Sequence, residues 1–251
     1  MSETIERFSN RVENYVKYRP GYPAEVLRLF KNELGLAEKS VIADVGSGTG
    51  LSAKMFLENG NEVFCVEPNN AMRTASEEFL DEHPGFRGVN GTAENTTLPD
   101  ASIDIVIAAQ AFHWFDADRT REEFKRILKP KGYIALIWNE RRIDATPFLQ
   151  EYEQFLLKFA SDYTKVRHDN VDEEKLFAFF GQAFNTAVFE NAQVLDFDGL
   201  KGRVLSSSYM PAEGSGNYSR MTEDLRILFA KYAEIGKIVI SYDTNIFYAQ
   251  L

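Results

Sequence analysis

Apolar residues follow two rhythms along this chain: three- and four-residue steps in some stretches, short unbroken runs in others. Phe8, Val12, Tyr15 and Tyr18, with Ile5 ahead of them, share one face of a predicted N-terminal helix that Pro20-Gly21-Tyr22-Pro23 ends. A second helix is predicted from Ala24 to Leu34, with Val26, Leu27 and Phe30 inward and Gly35 as its terminator. From residue 41 the rhythms alternate. Strands are predicted at 41–45, 62–66, 86–90, 103–107 and 133–138, and helices at 51–59, 71–82 and 119–128, the last capped by Asp116 or Asp118. Strands apolar on both faces, alternating with helices, predict a parallel sheet covered on both sides. Residues 139–186 break the pattern: helices are predicted at 147–159 and 172–180, packed over one edge of the sheet. Strand-like alternation follows at 188–197, a loop at 211–217, a helix at 222–234, and a tail at 238–248 suited to an antiparallel edge pair.

Composition narrows the classes of function. The 251 residues carry 28 Lys+Arg against 38 Asp+Glu, a formal net charge of −10, which argues against nonspecific binding to nucleic acid or an anionic membrane. The acidity is uneven: residues 35–100 hold 11 acids and 4 bases, whereas 1–34 and 101–138 each hold 6 bases and 5 acids. One cysteine, Cys65, excludes an internal disulfide and any CxxC metal site, and reads as core packing. The polar, acid-bearing N-terminal segment is no secretory signal and no run of about 18 apolar residues exists, so a reducing cytoplasm is expected. His83, His113 and His168 lack ligand spacing, and no metal site is expected.

The most informative chemistry lies in Asp44-Val45-Gly46-Ser47-Gly48-Thr49-Gly50, between a predicted strand and a predicted helix. Glycines there let the backbone turn and approach a ligand closely, in front of the free N–H groups of a helix start. The spacing is GxGxG; a nicotinamide fingerprint needs its third glycine at position 51, which is Leu51. Glu67 ends the second strand, where a carboxylate can accept both hydroxyls of a ribose.

Strand, GxGxG, helix, strand and terminal Glu, in that order, resemble the class I S-adenosylmethionine-dependent methyltransferases. Gly91-Thr92-Ala93-Glu94 after the third strand, Leu98 to Asp104 before the fourth, and Leu128-Lys129-Pro130-Lys131-Gly132 before the fifth extend the likeness, with Lys131 standing where the family usually has glycine. Tyr18-Arg19-Pro20-Gly21-Tyr22-Pro23, Gln110-Ala111-Phe112-His113-Trp114-Phe115 and the tail Tyr242 to Tyr248 are similar to the type 11 small-molecule methyltransferases related to trans-aconitate methyltransferase.

The resemblance implies an α/β, Rossmann-like, mostly parallel seven-stranded sheet with an antiparallel C-terminal edge strand, helices on both faces and a helical insertion after the fifth strand. One domain over 1–251 is expected: lid helices 1–34, a cofactor-binding core 35–138, an insertion 139–186 shaping the acceptor pocket, and sheet completion 187–251. S-adenosylmethionine is the implied cofactor, with Tyr15, Arg19, Asp44, Gly46, Ser47, Gly48, Gly50, Glu67, Pro68, Ala93, Glu94, Gln110, Ala111 and Phe112 as its candidate contacts. A small-molecule acceptor, with a carboxylic acid as one candidate, is expected to meet Tyr18, His113, Trp114, Trp138, Asn139 and Arg141, with Arg142, Arg203 and Tyr209 as further candidates. His113 is the candidate catalytic residue, as a positioning group or a base. Methylation of a protein and cofactor binding without catalysis remain open alternatives, whereas nucleic acid as substrate is disfavoured by the charge. Nothing in the sequence sets an oligomeric state.

Overall fold

The apolar runs become strands and the amphipathic stretches pack on them, in a computed structural model that describes residues 11–161, 163 and 172–251. Ile5, Phe8 and His168 lie outside the described residues. The N-terminal helix is described as α1 (Val12–Tyr18), and α2 (Ala24–Glu33) follows the proline turn. The alternating core runs β1 (Val41–Val45), α3 (Leu51–Glu58), β2 (Glu62–Val66), α4 (Asn70–Leu80), β3 (Phe86–Val89), β4 (Ile103–Ala109), α5 (Ala117–Ile127) and β5 (Leu128–Arg141). Beyond it lie α6 (Pro147–Phe159), α7 (Glu173–Phe180), β6 (Asn185–Leu195), α8 (Phe197–Leu205), α9 (Tyr218–Tyr232) and β7 (Ile238–Gln250).

Seven strands form one sheet in the order β3-β2-β1-β4-β5-β7-β6. β1 to β5 pair in parallel, while β7 runs antiparallel to both β5 and β6. The antiparallel C-terminal edge is thus built of two strands, with the last strand of the chain slotted between β5 and β6. The strand order reverses between β1 and β4, which opens a crevice at the carboxyl ends of the strands.

Helices cover both faces, as the doubly apolar strands require. Val26 and Phe30 of α2, Ala53 and Phe56 of α3 and Leu80 of α4 pack on one face. Phe124 and Ile127 of α5 pack on the other, with Leu176, Phe179 and Phe180 of α7. A third cluster joins α6, α8 and α9 to the start of β7 through Leu149, Tyr152, Leu200, Val204, Leu225 and Tyr242. Tyr242 pairs in register with Arg141 at the carboxyl end of β5, so this cap stands at the crevice. Among the described residues no helix is long and apolar enough to cross a membrane.

Three features depart from the sequence reading. The insertion does not act as one body: α6 joins the cap, while α7 packs into the sheet core beside α5. Residues 197–205 are helical where strand alternation was expected to run to Phe197, because Asp196 ends β6 and caps α8, its side chain accepting from the Gly199 N–H at 2.8 Å. Gly199 and Gly202 mask that helix, since glycine costs roughly 1 kcal/mol in a helix interior. A Cβ at Gly202 would collide with the Tyr18 ring, so this glycine lets α1 lie against α8. Lys131 adopts φ +68 inside the turn before the paired part of β5, the left-handed position where glycine is favoured.

Candidate active site

The glycine loop turns at the carboxyl end of β1. Gly46, Gly48 and Gly50 take φ +69, +55 and +82, values that carry no Cβ penalty for glycine. A Cβ on Gly46 would lie 2.7 Å from the Ala111 Cβ, whereas a Cβ on Gly48 would meet nothing within 4 Å. Packing therefore demands the first glycine, while the second leaves an open cradle at the cavity wall.

Glu67 holds that cradle in place. Its Oε2 accepts from the Gly48 N–H at 2.9 Å and its Oε1 from the Asn69 N–H at 2.8 Å. A carboxylate accepts about four hydrogen bonds, so about two lone-pair sites are left for hydroxyls of a ligand. Burial raises the Glu67 pKa, opposed by the two N–H groups and by Arg73. Asp44 is fully buried in β1. Its Oδ2 accepts from the Ser52 hydroxyl at 2.6 Å, and its Oδ1 has no partner. Burial pushes its pKa up to about 7, Glu67 adds to the rise, and Ser52 and the Ala53 N–H oppose it. A buried carboxylate oxygen without a donor is costly, which favours the protonated acid.

β4 runs into a left-handed Gln110 (φ +60), an uncommon conformation for a residue with a side chain. Its N–H donates to the Ile137 carbonyl at 2.8 Å and its Nε2 to the Asn139 carbonyl at 3.3 Å. The following short 3-10 turn (Phe112–Trp114) brings the His113 ring to 4.8 Å from the Trp114 ring. Asn139 is a strut. Its Nδ2 donates to the Gly21 carbonyl at 3.1 Å, and its Oδ1 accepts from Thr244 at 2.6 Å and Asn191 at 3.1 Å. It ties the turn after α1 to β5, β6 and β7.

Arginines and tyrosines line the other end. Arg141 pairs with Glu153, donates to the Tyr163 hydroxyl at 3.0 Å and lies over the Tyr152 ring at 5.1 Å. Arg19 donates to the Ser206 carbonyl at 3.1 Å and covers the Tyr15 ring at 4.8 Å. Arg203 donates to the Ser207 hydroxyl at 3.2 Å and, at 3.4 Å, to the hydroxyl of Tyr242. A cavity of about 620 Å³ joins the two ends.

Of the cofactor candidates, Tyr15, Arg19, Gly46, Ser47, Gly48, Glu67, Pro68, Ala93, Glu94, Gln110 and Ala111 line this cavity; Asp44, Gly50 and Phe112 do not. Gly50 is close-packed against Leu80, and Phe112 belongs to the core, 4.5 Å from the Phe179 ring. Of the acceptor candidates, His113, Trp114, Asn139 and Arg141 line the cavity, joined by Arg203 and Tyr209. Trp138 does not: it is 2% exposed and packs edge-on to Phe112 and Phe247. Tyr18 docks on Gly202 instead, and Arg142 faces outward to Asp243 and Glu190. The sequence reading missed Tyr22, Asn69, Met72, Tyr152, Tyr163 and Tyr242 as lining residues. Asn69 and Met72 had a signal, the capped helix start directly after Glu67, with the Asn69 side chain accepting from the Met72 N–H. The tyrosines had none, because only tertiary packing gathers them.

A Rossmann-like sheet whose glycine loop is tied to an acid after β2, with a cavity at the carboxyl edge, defines the class I methyltransferase fold. Residues 43–136 match the family model described as a methyltransferase domain, and that stretch of the chain is similar to the methyltransferases. An uncharacterized methyltransferase-like protein of Schizosaccharomyces pombe is 30% identical over 165 residues, 64% of this chain and 63% of that protein. An uncharacterized methyltransferase of Mycobacterium tuberculosis is 37% identical over 134 residues, 53% of this chain and 52% of that protein. The chain thus spans between about half and two thirds of the length of these curated relatives. Among solved structures, the YcgJ protein of Bacillus subtilis shares the fold with TM-score 0.58 at 19% identity, covering 91% of this chain and 98% of that one. A protein of Anaeromyxobacter dehalogenans, described as a type II methyltransferase, does so with TM-score 0.63 at 23% identity, covering 93% and 98%.

Proposed function

We propose that this chain is an S-adenosylmethionine-dependent methyltransferase acting on a small-molecule acceptor, a carboxylic acid. One observation carries the reading: a single cavity of about 620 Å³ reaches from the glycine loop and Glu67 to an arginine-lined end. That volume suits one cofactor and a small acceptor, within the range of roughly 300–1,000 Å³ for small-molecule sites.

The residues present fit the cofactor. The open cradle at Gly48 and the lone-pair sites left on Glu67 are the two features that ask for a ligand. Glu67 would accept the ribose hydroxyls and Arg19 would pair with the carboxylate, while Asp44, behind the cavity wall, would hold Ser52 of that wall in place. Ala93 and Glu94 would flank the adenine, with Gln110 and Ala111 as further contacts to the cofactor. S-adenosylmethionine supplies a methyl group on a positively charged sulfur that leaves as a neutral thioether. The chain's own contribution is binding and orientation, and holding two reactants in line lowers a barrier by about 7–11 kcal/mol. A carboxylate is ionised at neutral pH, so His113 would position the acceptor rather than take a proton; with a hydroxyl acceptor it would act as a base. The net charge of −10 disfavours nucleic acid as the substrate, and the lone cysteine suits a reducing cytoplasm.

A screen with methyl-labelled cofactor against small acids, phenols and amines tests the reading. Label transferred to acids as base-labile methyl esters is the expected result. Transfer only to amines or phenols would overturn the choice of acceptor, and no transfer to any small molecule would overturn the reading itself.

A further inference from the structure

The charge at the acceptor end of the cavity does not balance. Three guanidinium groups, Arg19, Arg141 and Arg203, line it against one carboxylate, Glu140. Arg141 is neutralised by Glu153. Arg19 and Arg203 have no carboxylate partner among the described residues. Arg19 donates to one backbone carbonyl, and its Nε is buried without an acceptor. Arg203 donates only to two neutral hydroxyls, one of them at the long distance of 3.4 Å. The two cations also oppose one another: burial first, and then the Arg203 charge, lower the Arg19 pKa. Like charges held together away from bulk water repel one another, and an anion arriving with a ligand relieves that repulsion.

Two unpaired cations call for two anions. On the methyltransferase reading, on which this step rests, the cofactor brings one carboxylate and Arg19 takes it. Arg203 is left for the acceptor. Its surroundings describe the rest of that molecule. Tyr152, Tyr163, Tyr209 and Tyr242 line the same end with Leu156 and Ile143, and this apolar, ring-rich wall offers no further unpaired cation. We propose that Arg203 is the residue that sets acceptor specificity, and that the acceptor is an acid with a single carboxylate and an aromatic or alkyl body. A second carboxylate would meet Glu140 and neutral hydroxyls, with no cation left to pair it. The guanidinium plane provides two parallel N–H groups for one carboxylate, which a neutral amide of the same shape cannot match.

Calorimetric titration of the protein saturated with S-adenosylhomocysteine tests this, with benzoate, 3-phenylpropionate and octanoate as probes, and with 3-phenylpropionamide and citrate as controls. At least one of the three acids is expected to bind, at least tenfold more tightly than the amide control and than citrate. Arg203→Met should weaken that acid at least tenfold while leaving S-adenosylhomocysteine affinity within twofold, and Arg203→Lys should restore part of the loss. Should Arg203→Met not fold, the Arg203→Lys variant and the wild-type comparison of acid, amide and citrate decide alone. Equal binding of acid and amide, tighter binding of citrate, binding of no acid, or an unchanged acid affinity in the variants would each overturn the proposal. Failure to bind S-adenosylhomocysteine at all would instead overturn the methyltransferase reading beneath it.

Discussion

The two ends of the cavity are built by opposite means. The glycine-loop end comes from residues 44–72, and backbone N–H groups and short carboxylates make it: Gly48 and Asn69 N–H on Glu67, Ser52 on Asp44. The arginine end comes from β5, α6, α8, β7 and the segments between them, and long side chains make it: Arg141, Tyr152, Tyr163, Arg203, Tyr209 and Tyr242. A backbone-built site is shaped by local conformation, so the same positions on this fold serve one ligand class. A side-chain-built site is free to change with its lining, so it carries what is particular to this chain. The first end should fail through geometry when altered, and the second through charge.

The largest expected effect tests the charge side. Arg141→Ala removes the guanidinium that pairs with the buried Glu153 carboxylate, and breaking a buried pair costs about 3–5 kcal/mol. Urea unfolding should show this loss, and a change no greater than that of an exposed residue would mean that the arginine end is wet rather than enclosed. Gly46→Val tests the geometric side. A side chain at φ +69 costs about 1–2 kcal/mol and overpacking against Ala111 about 1–3 kcal/mol more, so both stability and cofactor binding should fall. Glu67→Ala removes the acceptor of the Gly48 N–H as well as that of a ribose. At about 1.5–3 kcal/mol per hydrogen bond to a charged group, cofactor affinity should drop at least tenfold by titration, with acid binding at the far end little changed.

Asp44 gives a smaller effect that depends on pH. Its folded pKa is raised to about 7, so its protonated form stabilises the protein fully below its unfolded value near 4, and that stability is lost as pH rises through about 7. Melting temperature should therefore fall as pH rises from 5 to 8, and Asp44→Asn should flatten that profile. The smallest effect is the sharpest contrast. Arg142→Ala, next to Arg141 in sequence, removes a half-buried pair with Asp243 and an exposed one with Glu190, should lower the melting temperature far less than Arg141→Ala, and should leave cofactor affinity unchanged.

The same contrast explains what was legible in the sequence. β1, β2 and the glycine loop lie where apolar runs and glycines mark them, and Glu67 falls at its expected place because strand length fixes it. α6 matches its expected span from Pro147 to Phe159, where Thr146 caps it and Pro147 opens it. α8 was hidden by Gly199 and Gly202, whose absent side chains serve contact with α1 rather than helix formation. Trp138 and Phe112 were read as ligand contacts because they flank the site in sequence; strand alternation and the turn send their rings into the core. Tyr152 and Tyr242 were invisible as site residues because they are 90 positions apart and only the register of β5 with β7 and the packing of α6 bring them together.

The central claim is that the glycine-loop end binds S-adenosylmethionine. Isothermal titration of the unmodified protein with S-adenosylmethionine, and with NAD in parallel, tests it most directly. Saturable one-to-one binding of S-adenosylmethionine and no heat from NAD is the expected result. Binding of NAD, or silence with S-adenosylmethionine, would contradict it.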